Sequence, residues 1–183
     1  LISGSYVEVV VNPQFQHIPL QFAINPAIAP IPAGDYGWND YAIKGQTDPS
    51  RRLSMYYQLS AGGFWSGNGR TQIVTLTAHP SHHFGAILGA THTSASLDAP
   101  HAKFDALLWT GQANYSFSPN MFLDGLTQYD PQRHLFNANV RFNVIHHPLS
   151  DVFVVFNEQR FTTPDAPNPG RSVVVKFTQM FAF

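Results

Sequence analysis

An antiparallel transmembrane β-barrel, or the C-terminal portion of one, is the fold that this sequence predicts. Three observations carry the prediction. Apolar and polar residues alternate with period two along nearly the whole chain. The alternating segments number about ten and run to roughly 9–14 residues, whereas ordinary strands have about 5–6 and a tilted strand crossing a bilayer needs about 9–11. Tight turns and longer loops alternate between the segments, as in barrels with short periplasmic turns and long outer loops.

In chain order the predicted strands are 5–16, 36–46, 51–63, 70–80, 83–94, 103–117, 120–130, 134–146, 151–161 and 171–183. The Pro-rich "IPLQFAINPAIAPIPAGD" is the first long loop, and "TDPS" the first tight turn. In the third strand, "RLSMYYQLS" sets Leu53, Met55, Tyr57 and Leu59 against Arg52, Ser54, Gln58 and Ser60. The Gly-rich "GFWSGNG" predicts a flexible outer hairpin, "HPS" a turn, and "SASLDAPH" another loop. In the sixth strand, "LLWTGQANYSF" places Leu107, Trp109, Ala113, Tyr115 and Phe117 opposite Thr110, Gln112, Asn114 and Ser116. "SPN" turns the chain into the seventh strand, and "DPQR" is a shorter loop than its class predicts. The eighth strand is the cleanest: in "FNANVRFNV", Phe136, Ala138, Val140, Phe142 and Val144 alternate with Asn137, Asn139, Arg141 and Asn143. After "HPLS", the ninth strand contains "DVFVVF", apolar in both phases, which leaves its lipid-facing side open. "TTPDAPNPG" leads to the last strand, "VVVKFTQMFAF".

Physical chemistry gives the pattern its meaning. In hydrocarbon every backbone N–H and C=O needs an internal partner, so a sheet survives there only when its edges are closed. A lipid-facing Arg or Lys at mid-membrane costs about 2–4 kcal/mol. Arg52, Asp124, Arg141 and Lys176 fall on polar phases, while Arg51, Arg70, Arg133, Arg160 and Arg171 sit at strand ends. Only 11% of the 183 residues are charged, yet mean hydropathy is -0.12, because neutral polar residues stand in for the missing charge. A net charge of -1 gives no basic surface for nucleic acid. No stretch reaches the roughly 20 apolar residues of a spanning helix, and there is no cysteine for a disulfide or thiolate site. The chain starts at Leu1 without a signal-like segment, so an address is expected to have been removed or to lie upstream.

Lys176, Phe181 and Phe183 fit the terminal signal that barrel-insertion machinery reads, with Thr178 where a Gly is usual. A wider resemblance covers roughly residues 5–183. "INPAIAPIPAGDY", "TDPSRRLSMYYQLSAGGFWSG", "FSPNMFLDGLTQYD", "LSDVFVVFNEQR" and "GRSVVVKFTQMFAF" resemble the C-terminal barrel region of a bacterial outer-membrane family. Members of that family join an N-terminal family-9-like carbohydrate-binding domain to a barrel of undefined function. The resemblance implies residues 1–183 as one barrel domain, with earlier strands and the sugar-binding domain upstream. It implies no catalytic residues.

The candidate chemistry is sparse. His79, His82 and His83 flank one predicted turn and His146 and His147 another, but adjacent strand residues point apart, so no metal ligands are assigned. Asp124 and Arg141, on neighbouring strands, are expected to form a lumen-wall ion pair rather than an acid–base dyad. "GGFWSGNGR" lacks the Lys-Ser/Thr of a phosphate cradle, and no GxSxG elbow occurs. The predicted lumen lining is Arg52, Gln58, Gln112, Asn114, Asp124, Gln128, Asn137, Asn139, Arg141, Asn143 and Lys176. Trp38, Trp65, Trp109, Tyr115, Phe117 and Tyr129 read as an aromatic girdle at the lipid–water boundary, in preference to sugar-stacking platforms.

The expected function is a non-enzymatic, porin-like passage or surface display for small hydrophilic solutes, saccharides among them, without cofactor. The expected surroundings are outer-membrane lipid or lipopolysaccharide, the insertion machinery and a saccharide or protein partner, with both chain ends on the periplasmic side. The rival readings are a barrel filled by inward Tyr56, Leu135, Phe153 and Met180 that anchors a partner, a barrel-embedded hydrolase, and a water-soluble sugar-binding sandwich.

Overall fold

The structure, a computed structural model, describes residues 4–23, 30–98, 101–164, 166 and 169–180. Ten strands account for most of them: β1 (Tyr6–Ile18), β2 (Gly34–Gln46), β3 (Leu53–Phe64), β4 (Gly67–Ala78), β5 (Phe84–Ser96), β6 (Lys103–Ser118), β7 (Met121–Asp130), β8 (Leu135–His147), β9 (Ser150–Phe161) and β10 (Gly170–Thr178). They form one antiparallel sheet in sequential order from β1 to β10, and the described residues contain no helix. β1 and β10 are the first and last strands of that order.

The period-two pattern locates the strands closely, but the connections depart from the expected alternation. "GFWSGNG" is no long loop: β3 and β4 meet across Trp65 and Ser66 alone. Trp65 takes the strained positive φ of 50° that this tight reversal demands. Two turns on the opposite side, residues 47–52 and 79–83, are longer than the two-residue turns after β6 and β8. Arg52 therefore lies in a bend before β3, not on a strand, and its carbonyl accepts from the His79 amide at 2.7 Å.

The chain divides into two compact units. The first holds Leu1–Asp48, Met55–Val74 and Ala90–Leu107; the second holds Pro49–Ser54, Thr75–Gly89 and Leu108–Phe183. In the first, cross-strand partners put Val7, Val9 and Val11 beside Gly45, Ile43 and Tyr41, and these beside Tyr57, Leu59 and Ala61. This is an apolar face, and it faces out: Val7 is 78% and Val9 73% exposed. The opposite face carries Glu8, Asn12 and Gln14 on β1, Lys44 and Asp40 on β2, and Gln58 and Ser60 on β3. There Gln14, Asp40, Lys44 and Gln58 are half-buried and Ser60 is buried, while Glu8 and Asn12 are exposed.

The second unit repeats the arrangement with longer rows. Register aligns Leu123, Phe142, Val154 and Val175 across β7 to β10, and likewise Gly125, Val140, Phe156 and Val173. The other face aligns Gln128, Asn137, Gln159 and Gly170, then Leu126, Asn139, Asn157 and Ser172, then Asp124, Arg141, Val155 and Val174. The register thus resolves "DVFVVF": Val152, Val154 and Phe156 share the apolar face. Val173, Val175 and Phe177 on that face are more than 60% exposed, whereas Asn143 on the polar face is buried. In the second unit the two faces are covered alike within β8 and β9, where Val140, Phe142, Asn137 and Asn139 are all half-buried, and β10 is exposed on both. Among the described residues the only buried apolar side chains are Ile18, Ile31, Ala42, Ala95 and Leu97.

Candidate functional site

The polar faces concentrate the chemistry. A strand sends alternate side chains to one face, so an Asn or Gln at every second position becomes a carboxamide row once neighbouring strands register. In the second unit Gln112, Asn114, Gln128, Asn137, Asn139, Asn157 and Gln159 share a face with Thr110, Ser116 and Ser172. Asn139 Nδ2 donates to Asn157 Oδ1 at 2.6 Å, and Asn157 Nδ2 donates to Ser172 Oγ at 3.3 Å. A cleft of about 490 Å³ is lined by Gln128, Asn137, Asn139, Asn157, Gln159 and Ser172 among others.

A second cleft, about 420 Å³, lies against His79, Gln112, Asn114, Asn139, Asp124 and Arg141. Asp124 and Arg141 are direct cross-strand partners, and Arg141 Nη2 donates to Asp124 Oδ2 at 3.1 Å. The expected ion pair is therefore present, half exposed on both sides. Its carboxylate faces a guanidinium rather than a nucleophile or a second acid, which suits binding better than proton transfer. Asn143 is buried, and its Oδ1 has no hydrogen-bond partner among the described residues. An orphaned acceptor is costly in a dry core and cheap where water reaches it.

Most of the predicted lining residues are brought to one face. Gln112, Asn114, Asp124, Gln128, Asn137, Asn139, Arg141, Asn143 and Lys176 all take the polar phase of the second unit, Lys176 opposite Phe153. Gln58 does so in the first unit, where Tyr56 Oη donates to its Oε1 at 2.6 Å and its Nε2 donates to Ser60 Oγ at 2.9 Å. Glu8 and Lys44 pair beside it at 3.7 Å. Arg52 is the exception, because it stands off the strands.

The girdle prediction divides. Trp109 and Tyr129 are register partners on the apolar face, Trp109 towards the middle of β6 and Tyr129 next to the end of β7. Six residues along β6, about 20 Å of strand, Tyr115 packs edge-on against Phe117 at 4.7 Å. These four form two aromatic tiers, and Trp109 and Phe117 are half exposed. Trp38 and Trp65 do not belong to them. Trp38 occupies the polar phase of β2, opposite Gln14, and its ring lies 6.4 Å from Trp65. Trp65 also contacts Phe64 at 4.5 Å and Phe22 at 5.5 Å, and its Nε1 donates to Gln16 Oε1 at 2.8 Å. Trp65 packs against a small core of Ile18, Ile31 and Leu97, beside a Phe22–Ile31 bridge within the first long connection, and Trp38 reaches it through Trp65. Local alternation could not foresee this contact, because Trp65 and Gln16 are 49 residues apart.

Of the terminal signal, Lys176 is on β10, while Phe181 and Phe183 lie outside the described residues. The histidines are engaged separately. His83 bonds the Ser116 carbonyl at 2.8 Å, and His146 bonds Gln179 at 2.8 Å while stacking on Phe177. Among the described residues no three His, Asp or Glu side chains gather as a metal site would need.

One cluster escaped the sequence reading. Glu158 and Arg160 take the apolar phase of β9, and Arg171 lies directly opposite Glu158 on β10. Arg171 Nη2 donates to Glu158 Oε1 at 3.0 Å, and the Arg160 guanidinium stands 5.1 Å over the Phe136 ring. The signal was available in "FNEQR", where the apolar phase runs on into Glu and Arg. Comparison with family models, with characterised proteins and with solved structures returns no match, so the family resemblance stands on its residues alone.

Proposed function

We propose that the chain is a transmembrane barrel, or the C-terminal part of one, in the outer membrane of a diderm bacterium. Its polar face lines a passage for small hydrophilic solutes, and it performs no chemistry on them. The carrying observation is the apolar face left without cover, with Val7, Val9, Ile43, Val173, Val175 and Phe177 all more than half exposed, opposite a face of Asn, Gln and Ser. In water such a sheet would expose its greasy side at a cost of about 25 cal/mol per Å². In hydrocarbon the same surface is in its preferred solvent. Uncharged carboxamides that both donate and accept match hydroxyl-rich neutral solutes such as saccharides. The test is single-channel recording from the purified full-length protein in planar bilayers. Stepwise conductance that falls when a neutral sugar is added supports the passage, and electrically silent insertion contradicts it.

A second reading has its own observation. The Trp38–Trp65–Phe64 cluster and the folded first loop sit at the loop end of the first unit's polar face. Phe122, Leu126, Phe153 and Val155 add apolar bulk to the second unit's polar face. Side chains of this size favour a filled barrel that anchors a partner at the outer membrane. Silent insertion is the result this reading expects.

A further inference from the structure

We propose that Arg160 and Arg171 form a docking site on the apolar face for the phosphate of a membrane glycolipid headgroup. The proposal rests on the membrane reading above and adds a partner of defined chemistry to it.

Three apolar cross-strand rows cover this face from the turn end upward: Val144, Val152 and Phe177; then Phe142, Val154 and Val175; then Val140, Phe156 and Val173. The next row is Ala138, Glu158 and Arg171, followed by Phe136 and Arg160. From Val152 to Glu158 the strand rises six residues, or about 20 Å. Glu158, Arg160 and Arg171 are the only charged residues on the apolar face of β7 to β10.

The charges are unequally covered. The Glu158 side chain is 14% exposed, whereas Arg160 and Arg171 are 49% and 61% exposed. One enclosed carboxylate thus holds two guanidinium groups in place, at 3.8 and 3.0 Å, and leaves one positive charge in excess. Guanidinium donors not aimed at Glu158 remain to bind an anion, and phosphate fits their planar fork in a bidentate way. Phe136 fixes Arg160 through its ring face. Arginines at the edge of a hydrocarbon band extend their stems along it and place their heads at the headgroup level. A lipid is the favoured source of the phosphate, because the apolar rows directly below accept acyl chains.

The test uses the full chain in phosphatidylcholine vesicles containing a few per cent lipid A, with flotation to establish insertion. Lipid A retained per chain after detergent extraction is then counted from an isotope label in its acyl chains, which reads the phosphate-free lipid equally well. The wild type should retain it, and should not retain the same lipid stripped of phosphate. Removing the charges should weaken retention roughly fivefold for Arg160→Gln or Arg171→Gln, and roughly thirtyfold for both together. Glu158→Gln should strengthen retention, since it removes the competing anion; a purely structural role for this cluster predicts weakening instead. Equal retention by wild type and the double variant overturns the proposal while leaving the membrane reading intact. Displacement by millimolar inorganic phosphate without loss of insertion points to a free-anion site and overturns the lipid assignment. Failure of the wild type to float with the vesicles overturns both.

Discussion

Val174 and Val175 are neighbours on β10 and differ in little except the face they occupy. Val175 pairs with Val154 in the apolar field, and Val174 pairs with Val155 on the polar face beside Asp124 and Arg141. Their exposures are similar, 65% and 53%. In water, Arg at either position is a surface substitution and should change stability by no more than about 0.5 kcal/mol. In a bilayer the two separate. Val175 lies four residues below Arg171 and two above Phe177, within the hydrocarbon-facing rows, so Val175→Arg should cost about 2–4 kcal/mol. That is roughly 30- to 900-fold in the folding equilibrium. Val174→Arg should cost less than about 1 kcal/mol, because its charge enters a hydrated polar face near Lys176. The assay is reversible urea unfolding of both variants in phosphatidylcholine vesicles. Equal costs, both below about 0.5 kcal/mol, would refute the assignment of lipid to the apolar face.

Other outcomes follow from single contacts. Arg141→Ala breaks a half-exposed ion pair and should cost only about 0.2–1 kcal/mol in vesicle unfolding, while shifting any channel's ion selectivity toward cations. Gly62→Ala would drive a Cβ into the Asn39 carbonyl and to 2.9 Å from Asp40 Cα, so the same titration should register a loss of about 1–3 kcal/mol. At Gly37 the nearest atom is 3.9 Å away, and Gly37→Ala should pass without such a loss. Trp65→Ala removes three ring contacts and the Gln16 bond. A half-buried indole should lose somewhat less than the 3–5 kcal/mol of a buried one, so about 2 kcal/mol. In planar bilayers it should also raise conductance if that cluster narrows a passage.

What was legible in the sequence is what local alternation encodes. Asn137, Asn139, Arg141 and Asn143 announce their shared face because a strand repeats every two residues, and the Asp124–Arg141 pair follows once two such strands lie side by side. Where alternation fails, so does the reading. "DVFVVF" has no polar phase, and only the bonds to β8 reveal its orientation. Arg52 kept the right parity but lost its strand to the bend preceding Leu53. The glycines of "GFWSGNG" suggested length, but they serve a tight hairpin in which Gly63 leaves room for the Trp38 side chain. Position along the strands points Trp38 and Trp65 to the girdle, whereas Trp65 is held by Gln16 and the Ile18–Ile31–Leu97 core, far away in sequence, and Trp38 packs on Trp65. The Glu158 cluster was hidden because charge on an apolar phase looks like an error until its partner on β10 is known.

The central claim is that lipid, not water, solvates the apolar face. Since the chain has no cysteine, single cysteines from Phe136 to Val144 can carry spin labels in vesicles without background. Collisions with membrane-dissolved oxygen should peak at Phe136, Ala138, Val140, Phe142 and Val144, and those with a water-soluble nickel chelate at Asn137, Asn139, Arg141 and Asn143. Equal access of the nickel reagent to both sets would contradict the account.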